Sequence, residues 1–210
     1  MELPLEYTNK MTELLGKEEF ARYRQALDSA RAFGIRVNTL KITTDEFIEE
    51  LGECIGIGER IPWTSDGFYY DPFDGKGAEQ PGKLPFYHAG LYYLQEPSAM
   101  YPAEQLDVKP GDKVLDLCAA PGGKALDVAE RILMEGQAGC SGHVEARDLT
   151  EYKVSLIEEN IERMGLCNVT AVCQDASVYD EKSAGKADIV IADLPCSGLG
   201  VLGKKTDLKY

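Results

Sequence analysis

Long apolar runs are absent from this sequence, and their absence excludes one broad class of protein at once. The longest apolar stretches have the length of a strand, far below the roughly 20 residues that a membrane helix needs. Met1 is followed by Glu2 and Pro4 rather than by a basic start and an apolar run, so the chain shows no signal peptide. We therefore expect a cytoplasmic protein that makes no contact with a membrane.

Cysteine and histidine are too few and too scattered for a common metal site. The 210 residues include six cysteines and two histidines, and no two cysteines form a C-x-x-C pair. Structural zinc sites usually need such pairs or clustered histidines. We expect no metal, and in a reducing compartment we expect most of these cysteines to be buried small hydrophobes or free thiols.

Basic residues are also scarce relative to acidic ones. The chain has 22 Lys and Arg against 36 Asp and Glu, a net charge of −14. Contacts to phosphate groups require Lys or Arg, and an acidic chain is repelled by nucleic acid unless its basic residues cluster. The net charge thus argues against strong RNA binding by this chain alone. A solvated acidic surface accounts for most of the acidic residues.

The first third of the chain predicts helices followed by a strand. Apolar residues near helical spacing precede Gly16, and residues 18–32 predict a second helix that ends at Gly34. Residues 35–42, "IRVNTLKI", alternate apolar and polar side chains, which is typical of a half-buried strand.

A capping-box pattern and a loop-rich segment complete this N-terminal part. Thr43 and Glu46 have the capping-box spacing and predict a short helix that stops at Gly52. Residues 66–85 concentrate Gly, Pro and Asp between aromatics, which predicts a β-hairpin or a long loop. We place a domain boundary near Pro85, with a small α+β domain over residues 1–85 and a second domain over residues 86–210.

The second domain alternates strands with helices, which predicts a parallel sheet with helices on its faces and an α/β, Rossmann-like fold. The predicted strands are 113–119, 142–148, 168–175 and 187–194, and the predicted helices are 122–135 and 150–164, the latter capped by Gly165. Ligands of such sheets bind outside the carboxyl ends of the strands. The unusual residues all fall there: 118–124, Asp148, Asp175 and 193–198.

The turn "CAAPGGK" predicts a cofactor site. It comprises Cys118, Ala119, Ala120, Pro121, Gly122, Gly123 and Lys124. Two glycines without Cβ let the backbone approach a ligand closely at the start of a helix. The turn matches neither G-x-G-x-x-G nor the G-K-[ST] of a P-loop, so a dinucleotide or a triphosphate fits poorly.

Acids at the ends of the next two strands point to an adenosine. Asp148 is placed to accept both hydroxyls of a ribose, and Asp175 to accept from an adenine amino group. An adenosine without a pyrophosphate is what S-adenosylmethionine offers. Simpler interpretations remain for each residue: a tight connection for the turn, a helix N-cap for Asp148 in competition with Thr150, and a surface turn for Asp175.

Several segments together resemble one known family. "EPSAMYPAEQLDVKPGDKVLDLCAAPGGK", "ARD", "CQDA" and "DLPCSG" resemble the Sun/Nop family of S-adenosylmethionine-dependent RNA cytosine-5 methyltransferases, and most closely its bacterial members that act on 16S rRNA. The resemblance implies a class I methyltransferase sheet, here with only strands one to four of about seven, and an N-terminal module for RNA recognition. It implies ribosomal RNA as the partner, and a cofactor site lined by residues 118–124, Asp148, Asp175 and Asp193.

The resemblance also implies a role for Cys196. In this family one cysteine attacks carbon 6 of cytosine, which makes carbon 5 able to take a methyl group. The cysteine in the "PCSG" position, here Cys196, assists release of the product, and Asp193 lies beside it at the catalytic centre. The attacking cysteine of the family follows the next strand, and no Thr-Cys motif follows Cys196 here. We expect a truncated methyltransferase with a cofactor half-site and no nucleophile.

Other functions stay open at this point. Cys196 could itself be the nucleophile, as in DNA cytosine-5 methyltransferases, although their Pro-Cys is usually followed by Gln. Methylation of an amino group would use an Asp/Asn-Pro-Pro-aromatic turn, and "DLPC" has no ring to stack on a base. The chain could be a binding module that needs a partner, or Cys196 could be a buried structural thiol.

The fourth strand carries a further expectation. In the family's sheet order it lies between the first strand and a fifth, so residues 187–194 would present one unpaired edge without a lysine, proline or bulge before Pro195 to blunt it. We expect this edge to pair with a second copy or with a missing C-terminal segment.

Overall fold

The computed structural model describes residues 3–29, 31–72, 80–135 and 142–196. The chain divides into two compact units, one formed by Met1–Arg31 with Leu194–Tyr210 and the other by Ala32–Asp193. No helix in the described ranges is both long and apolar enough to cross a bilayer.

The first unit contains one broken helix, α1, over Leu5–Asp28. Gly16 leaves the helical conformation with φ 78° and ψ 164°, so the predicted break at this residue is confirmed. The hydroxyls of Tyr7 and Tyr23 lie 2.6 Å apart, whereas 16 residues of straight helix would separate them by about 24 Å. The chain therefore reverses direction at Gly16, and its second half ends at Asp28 rather than at residue 32.

The second unit begins with an antiparallel sheet of order β2-β3-β1-β4. Its strands are β1 Phe33–Val37, β2 Ile57–Arg60, β3 Gly67–Tyr70 and β4 Tyr92–Leu94. The prediction that Gly34 ends a helix is wrong, because Gly34 lies within β1. A Cβ atom there would come within 2.5 Å of the Gln95 carbonyl oxygen, so the close approach of two backbones requires glycine. The strand also stops at Val37, since Asn38 turns the chain and accepts the Leu40 N–H on its side chain at 3.2 Å.

Helix α2, Thr44–Ile55, covers this sheet. The predicted capping box is confirmed: Thr43 Oγ1 accepts the Glu46 N–H at 3.2 Å, and Glu46 Oε2 accepts the Thr43 N–H at 3.1 Å. The helix does not stop at Gly52 but continues to Ile55, which is fully buried in the core. Burial of that last apolar turn outweighs the weak helix propensity of one glycine, and Gly56 at φ +72° forms the cap.

The segment 66–85, predicted as a hairpin or a long loop, supplies β3, which pairs with both β1 and β2. A 3-10 turn over Pro81–Lys83 and the one-turn helix α3, Pro85–His88, follow. The first sheet extends past Pro85, because β4 pairs with β1. The domain boundary at Pro85 stays a prediction.

The rest of the second unit is the expected α/β part. Its strands are β5 Lys113–Asp116, β6 His143–Asp148, β7 Val169–Cys173 and β8 Ile189–Ile191, and its helices are α4 Pro97–Gln105, α5 Gly123–Glu135 and α6 Glu151–Met164. The strands pair in parallel in the order β7-β6-β5-β8. The predicted Rossmann-like sheet of four strands with an N-terminal α+β part is thus confirmed, with each strand shorter than its sequence pattern suggested.

The two faces of the parallel sheet differ. Helices α5 and α6 supply buried apolar residues such as Leu126, Ile132 and Ile157 to one core. The opposite face borders an open groove of about 660 Å³ that includes Leu115 and Arg147. Val190 of β8 is 55% exposed, so this face of the strand is open to solvent in the part of the chain that the structure describes.

Polar side chains of the loop after β1 bind the C-terminal end of α6. Asn38 Nδ2 donates to the carbonyls of Gly90 and Met164, both at 2.9 Å. Lys41 Nζ donates to the Arg163 carbonyl at 2.9 Å. The last carbonyls of a helix lack partners within the helix, and here a loop that follows β1 satisfies them.

Candidate cofactor and active site

The turn after β5 is held by backbone bonds to both neighbouring strands. Ala119 N donates to the Arg147 carbonyl of β6 at 2.8 Å, and Leu117 N donates to the Ile191 carbonyl of β8 at 3.0 Å. Gly122 has φ +112° and donates to the Ala119 carbonyl at 2.6 Å. Helix α5 then begins at Gly123, and its first-turn N–H groups, which have no partner within the helix, belong to the carboxyl edge of the sheet.

Asp148 lies at the carboxyl end of β6 and is only 3% exposed. Its Oδ2 accepts the Ala120 N–H of the turn at 3.0 Å, and its Oδ1 accepts the Leu149 N–H at 2.7 Å and Lys153 Nζ at 2.8 Å. Burial acts to raise the pKa of Asp148, but these hydrogen bonds outweigh it and hold the pKa below its ordinary value. The carboxylate is thus ionised at neutral pH.

The N-cap interpretation of Asp148 is wrong. Thr150 caps α6, because its Oγ1 accepts the Lys153 N–H at 3.3 Å. Asp148 instead joins the turn after β5 to the start of α6, which leaves its carboxylate free of the capping role.

Asp116, the last residue of β5, was missed by sequence reasoning. It is 1% exposed, and its Oδ1 accepts the Cys118 N–H at 3.3 Å. Burial raises its pKa to about 6, and the nearby charges of Lys124, Asp193 and Asp148 modify the shift. A carboxylate at the end of an apolar strand was the available signal, since parallel strands buried on both faces otherwise read as apolar runs.

Lys124 and Asp193 form an ion pair across the same edge. Lys124 Nζ lies 2.6 Å from Asp193 Oδ2, with the lysine side chain 24% exposed and the aspartate 62% exposed. The structure therefore brings together three of the predicted residues, Lys124, Asp148 and Asp193, and adds Asp116 to them.

Asp175 stands apart in its bonding. It is exposed, and its Oδ1 accepts the N–H and the hydroxyl of Ser177 at 2.8 and 2.7 Å. These bonds lower its pKa. The geometry is that of a turn after β7, so a contact to adenine remains a prediction.

The two cysteines of interest differ in environment. Cys118 is partly buried, and burial together with the charges of Asp148 and Asp116 raises its thiol pKa, so it carries no thiolate at neutral pH. Cys196 is exposed, so it is not a buried structural thiol. The residues that follow it in "PCSG", Ser197 and Gly198, lie outside the described residues.

Comparison with known proteins identifies the family. Residues 3–97 match the model for the N-terminal domain of the 16S rRNA methyltransferase RsmF, and residues 103–210 match the model for the 16S rRNA methyltransferase RsmB/F. The chain belongs to the RsmB/F family of 16S rRNA methyltransferases. The resemblance predicted from the sequence is confirmed.

Curated members of the RsmB/F family are longer than this chain, and the chain matches only part of their length. The chain is 33% identical over 175 residues to the ribosomal RNA small subunit methyltransferase F of Klebsiella pneumoniae (strain 342), a match that covers 82% of this chain and 35% of that protein. It is 31% identical over 208 residues to the enzyme of the same name from Enterobacter sp. (strain 638), covering 97% of this chain and 42% of that one. The chain therefore spans about two fifths of the length of these relatives.

Solved structures agree on the fold. The crystal structure of PH0851 superimposes with a TM-score of 0.82 at 27% identity and covers 99% of this chain and 44% of its own. The structure of NSun6 from Pyrococcus horikoshii with SFG has a TM-score of 0.74 at 23% identity, covering 92% of this chain and 71% of that one. Both likenesses extend over the antiparallel and the parallel sheets of this RsmB/F member.

Proposed function

We propose that this chain binds S-adenosylmethionine at the carboxyl edge of the parallel sheet and contributes that site to cytosine-5 methylation of 16S rRNA. The observation that carries the proposal is the buried, ionised Asp148, which is bonded to the turn 118–124 at the end of β6. Family membership supports the substrate class. Since ribosomes are assembled there, we place the activity in the cytoplasm.

The geometry of Asp148 fits an adenosine ribose with one adjustment. A carboxylate offers about four lone-pair sites, and Oδ1 already accepts two donors while Oδ2 accepts one. One ribose hydroxyl can bond Oδ2 directly, and the second can replace Lys153. The Lys153 side chain is 47% exposed, so its ammonium can return to water at little cost.

The charge of the site suits the rest of the cofactor. When bound, S-adenosylmethionine supplies an electrophilic methyl group on a cationic sulfonium. Asp116, Asp148 and Asp193 place negative charge around the turn, and Lys124 and Lys153 oppose it. Asp175 would accept from the adenine amino group, and the backbone from Cys118 to Gly123 would line the ligand.

The chemistry at the base rests on the family pattern. We assign Cys196 to assistance in product release and Asp193 to the catalytic centre, where its pairing with Lys124 holds the carboxylate at the edge of the site. In the family pattern the attacking thiolate belongs to a second cysteine, distinct from the one in the position of Cys196. Covalent trapping on RNA that contains 5-fluorocytosine separates this assignment from the alternative in which Cys196 is the nucleophile: an adduct that is lost in Cys196→Ala favours the alternative.

Asp148→Ala tests the cofactor site. We expect binding of S-adenosylhomocysteine to weaken by about one to two decades, because charge-assisted hydrogen bonds of roughly 1.5–3 kcal/mol are lost. Calorimetric titration measures the change. Asp188→Ala is the matched control, since Asp188 also accepts a backbone N–H, from Lys113 at 2.9 Å, but at the opposite end of β8. Equal affinity of Asp148→Ala and the unaltered chain would contradict the site.

The edge of β8 supports a proposal about partners. In the described part of the chain β8 pairs only with β5, and its apolar residues carry no blunting charge. We propose that this edge pairs with a strand of a second copy of the chain or with a further segment of the methyltransferase sheet.

Light scattering at micromolar concentration is expected to show self-association of the 210-residue chain, in spite of its net charge of −14. Among the described residues no strand pairs with the outer edge of β8, so its backbone donors and acceptors are available to another chain. A compact monomer whose amides over residues 187–194 are protected from hydrogen exchange would show instead that the edge is covered within the chain.

A further inference from the structure

Gln95 is buried between the first sheet and the helices α4 and α5, and its side-chain amide makes three hydrogen bonds. It is 8% exposed and directly follows β4. Nε2 donates to the Ala99 carbonyl at 3.0 Å and to the Gly123 carbonyl at 3.3 Å, while Oε1 accepts Arg36 Nε at 3.2 Å. Gly123 is the residue at which the turn 118–124 becomes α5, so this amide touches the candidate cofactor site from the side of the first sheet.

The neighbours of Gln95 permit only one orientation of its amide. Two carbonyl oxygens require the NH₂ group on one side, and the Arg36 guanidinium, which has donors only, requires the oxygen on the other. A flipped amide would face like partners at all three contacts. Arg36 therefore fixes which atom of Gln95 points at Gly123.

Arg36 is itself immobilised by α5. It is fully buried, its Nη1 lies 2.5 Å from Glu130 Oε2, and its Nε lies 3.5 Å from Asp127 Oδ2. Gly123, Asp127 and Glu130 are spaced four and three residues apart, so they share one face of α5. The first turn of the helix and its middle are thus both tied to β1, the former through Gln95 and the latter directly.

We propose that Gln95 is a positioning residue that holds the Gly122–Gly123 turn in its ligand-binding shape by fixing the Gly123 carbonyl against the buried Arg36–Glu130 pair. The predicted effect on ligand binding rests on the proposed cofactor function. The predicted effect on the structure of the turn rests on the contacts alone. Gln95 touches backbone of the turn and acts on a ligand through it.

Loss of the Gln95 side chain should cost little stability, because Arg36 has a second acceptor nearby. Asp127 Oδ2 is buried and has no hydrogen-bond partner among the described residues, and Arg36 Nε lies near it while donating to Gln95. Without the Gln95 oxygen, Arg36 Nε can turn to Asp127. The protein then keeps a paired guanidinium but loses the tether on Gly123, so the turn and the global stability are expected to respond differently.

Two variants separate the contacts. Gln95→Met, of similar volume, removes all three hydrogen bonds; Gln95→Glu keeps an acceptor for Arg36 but sets a carboxylate against the carbonyls of Ala99 and Gly123. Gln105→Met, on the exposed end of α4, is the control for the same chemical change. Hydrogen–deuterium exchange of peptides that span residues 118–126, thermal unfolding, and calorimetric titration with S-adenosylhomocysteine are measured for each.

In both Gln95 variants we expect the backbone amides of residues 118–126 to exchange faster than in the unaltered chain. The exchange rates of β6 and α6 should not change. Both variants should bind S-adenosylhomocysteine roughly fivefold to tenfold more weakly, the range for one or two neutral hydrogen bonds, while Gln95→Met unfolds within a few degrees of the unaltered chain. Unchanged exchange over 118–126 in both variants would overturn the proposal. If the unaltered chain binds no adenosyl ligand, the cofactor function fails, and the exchange result still decides the role of Gln95.

Discussion

Replacement of Arg36 by methionine is expected to lower the free energy of unfolding by about 3–5 kcal/mol, the usual cost of removing one partner from a buried ion pair. Burial acts to lower the pKa of Arg36, but the carboxylates of Asp127 and Glu130 more than offset it and raise the pKa, so the guanidinium stays charged. In Arg36→Met the Glu130 carboxylate, which accepts both Nη1 and Nη2, is left in the core without its cation. Urea denaturation measures the loss.

A second substitution shows whether the cost comes from the stranded charge. In Arg36→Met combined with Glu130→Leu, the Glu130 carboxylate is removed together with its cation, and Asp127 keeps Arg131, whose Nε lies 2.8 Å from Asp127 Oδ1. Most of the lost stability should return, because apolar groups of similar volume often replace a buried pair without penalty. Arg22→Met, which breaks only exposed pairs on α1, should cost at most about 1 kcal/mol. A double variant as unstable as the single one would contradict this account.

Asp116→Asn is expected to stabilise the protein at neutral pH and to weaken the site. The folded-state pKa of about 6 exceeds the ordinary value of 3.8 because Asp116 is buried, so ionising it in the folded protein costs up to about 3 kcal/mol. The stability that its protonated form provides is present below the unfolded-state pKa and is lost as pH rises to about 6. An asparagine keeps an acceptor for the Cys118 N–H and never pays the ionisation cost.

The increase in the free energy of unfolding caused by Asp116→Asn should therefore be small at pH 4, grow between pH 4 and 6, and stay constant above pH 6. Urea denaturation across that range, with exposed Asp188→Asn as the surface control, measures it. Binding of S-adenosylmethionine should weaken in the same variant, since a negative charge near its cationic group is gone. A loss of stability at every pH would mean that the carboxylate is held by contacts stronger than its burial cost.

Local signals in the sequence predicted the elements that they control. Thr43 with Glu46, and Thr150 with Gly165, are caps whose partners lie within a few residues, and the structure has a helix at each. The alternation of strands and helices predicted the parallel sheet, because right-handed βαβ units leave few other arrangements. Strand β2 was missed, since four residues with one partly buried side chain carry almost no pattern.

The site was predictable where residues follow strands and not where distant segments meet. Asp148 was predicted from its position at the end of β6 and Asp193 from its position after β8, whereas the Lys153 bond to Asp148 depends on side-chain direction. Arg36 contacts Gln95 and Glu130, which lie 59 and 94 positions away along the chain. No pattern of neighbouring residues encodes such pairings; they depend on how the antiparallel sheet meets α5.

The loop after β1 that closes α6 has a consequence for the history of the protein. A gene segment that encodes only the parallel sheet would lose Asn38 and Lys41, and with them the donors to the carbonyls of Met164 and Arg163. A Cβ at Gly90 would lie 1.8 Å from the Arg163 oxygen, so the matching surface tolerates no other side chain there. The two sheets should consequently be inherited together and resist domain shuffling: a parallel sheet recombined with a foreign N-terminal module would leave the carbonyls of Arg163 and Met164 without these donors and Glu130 without Arg36.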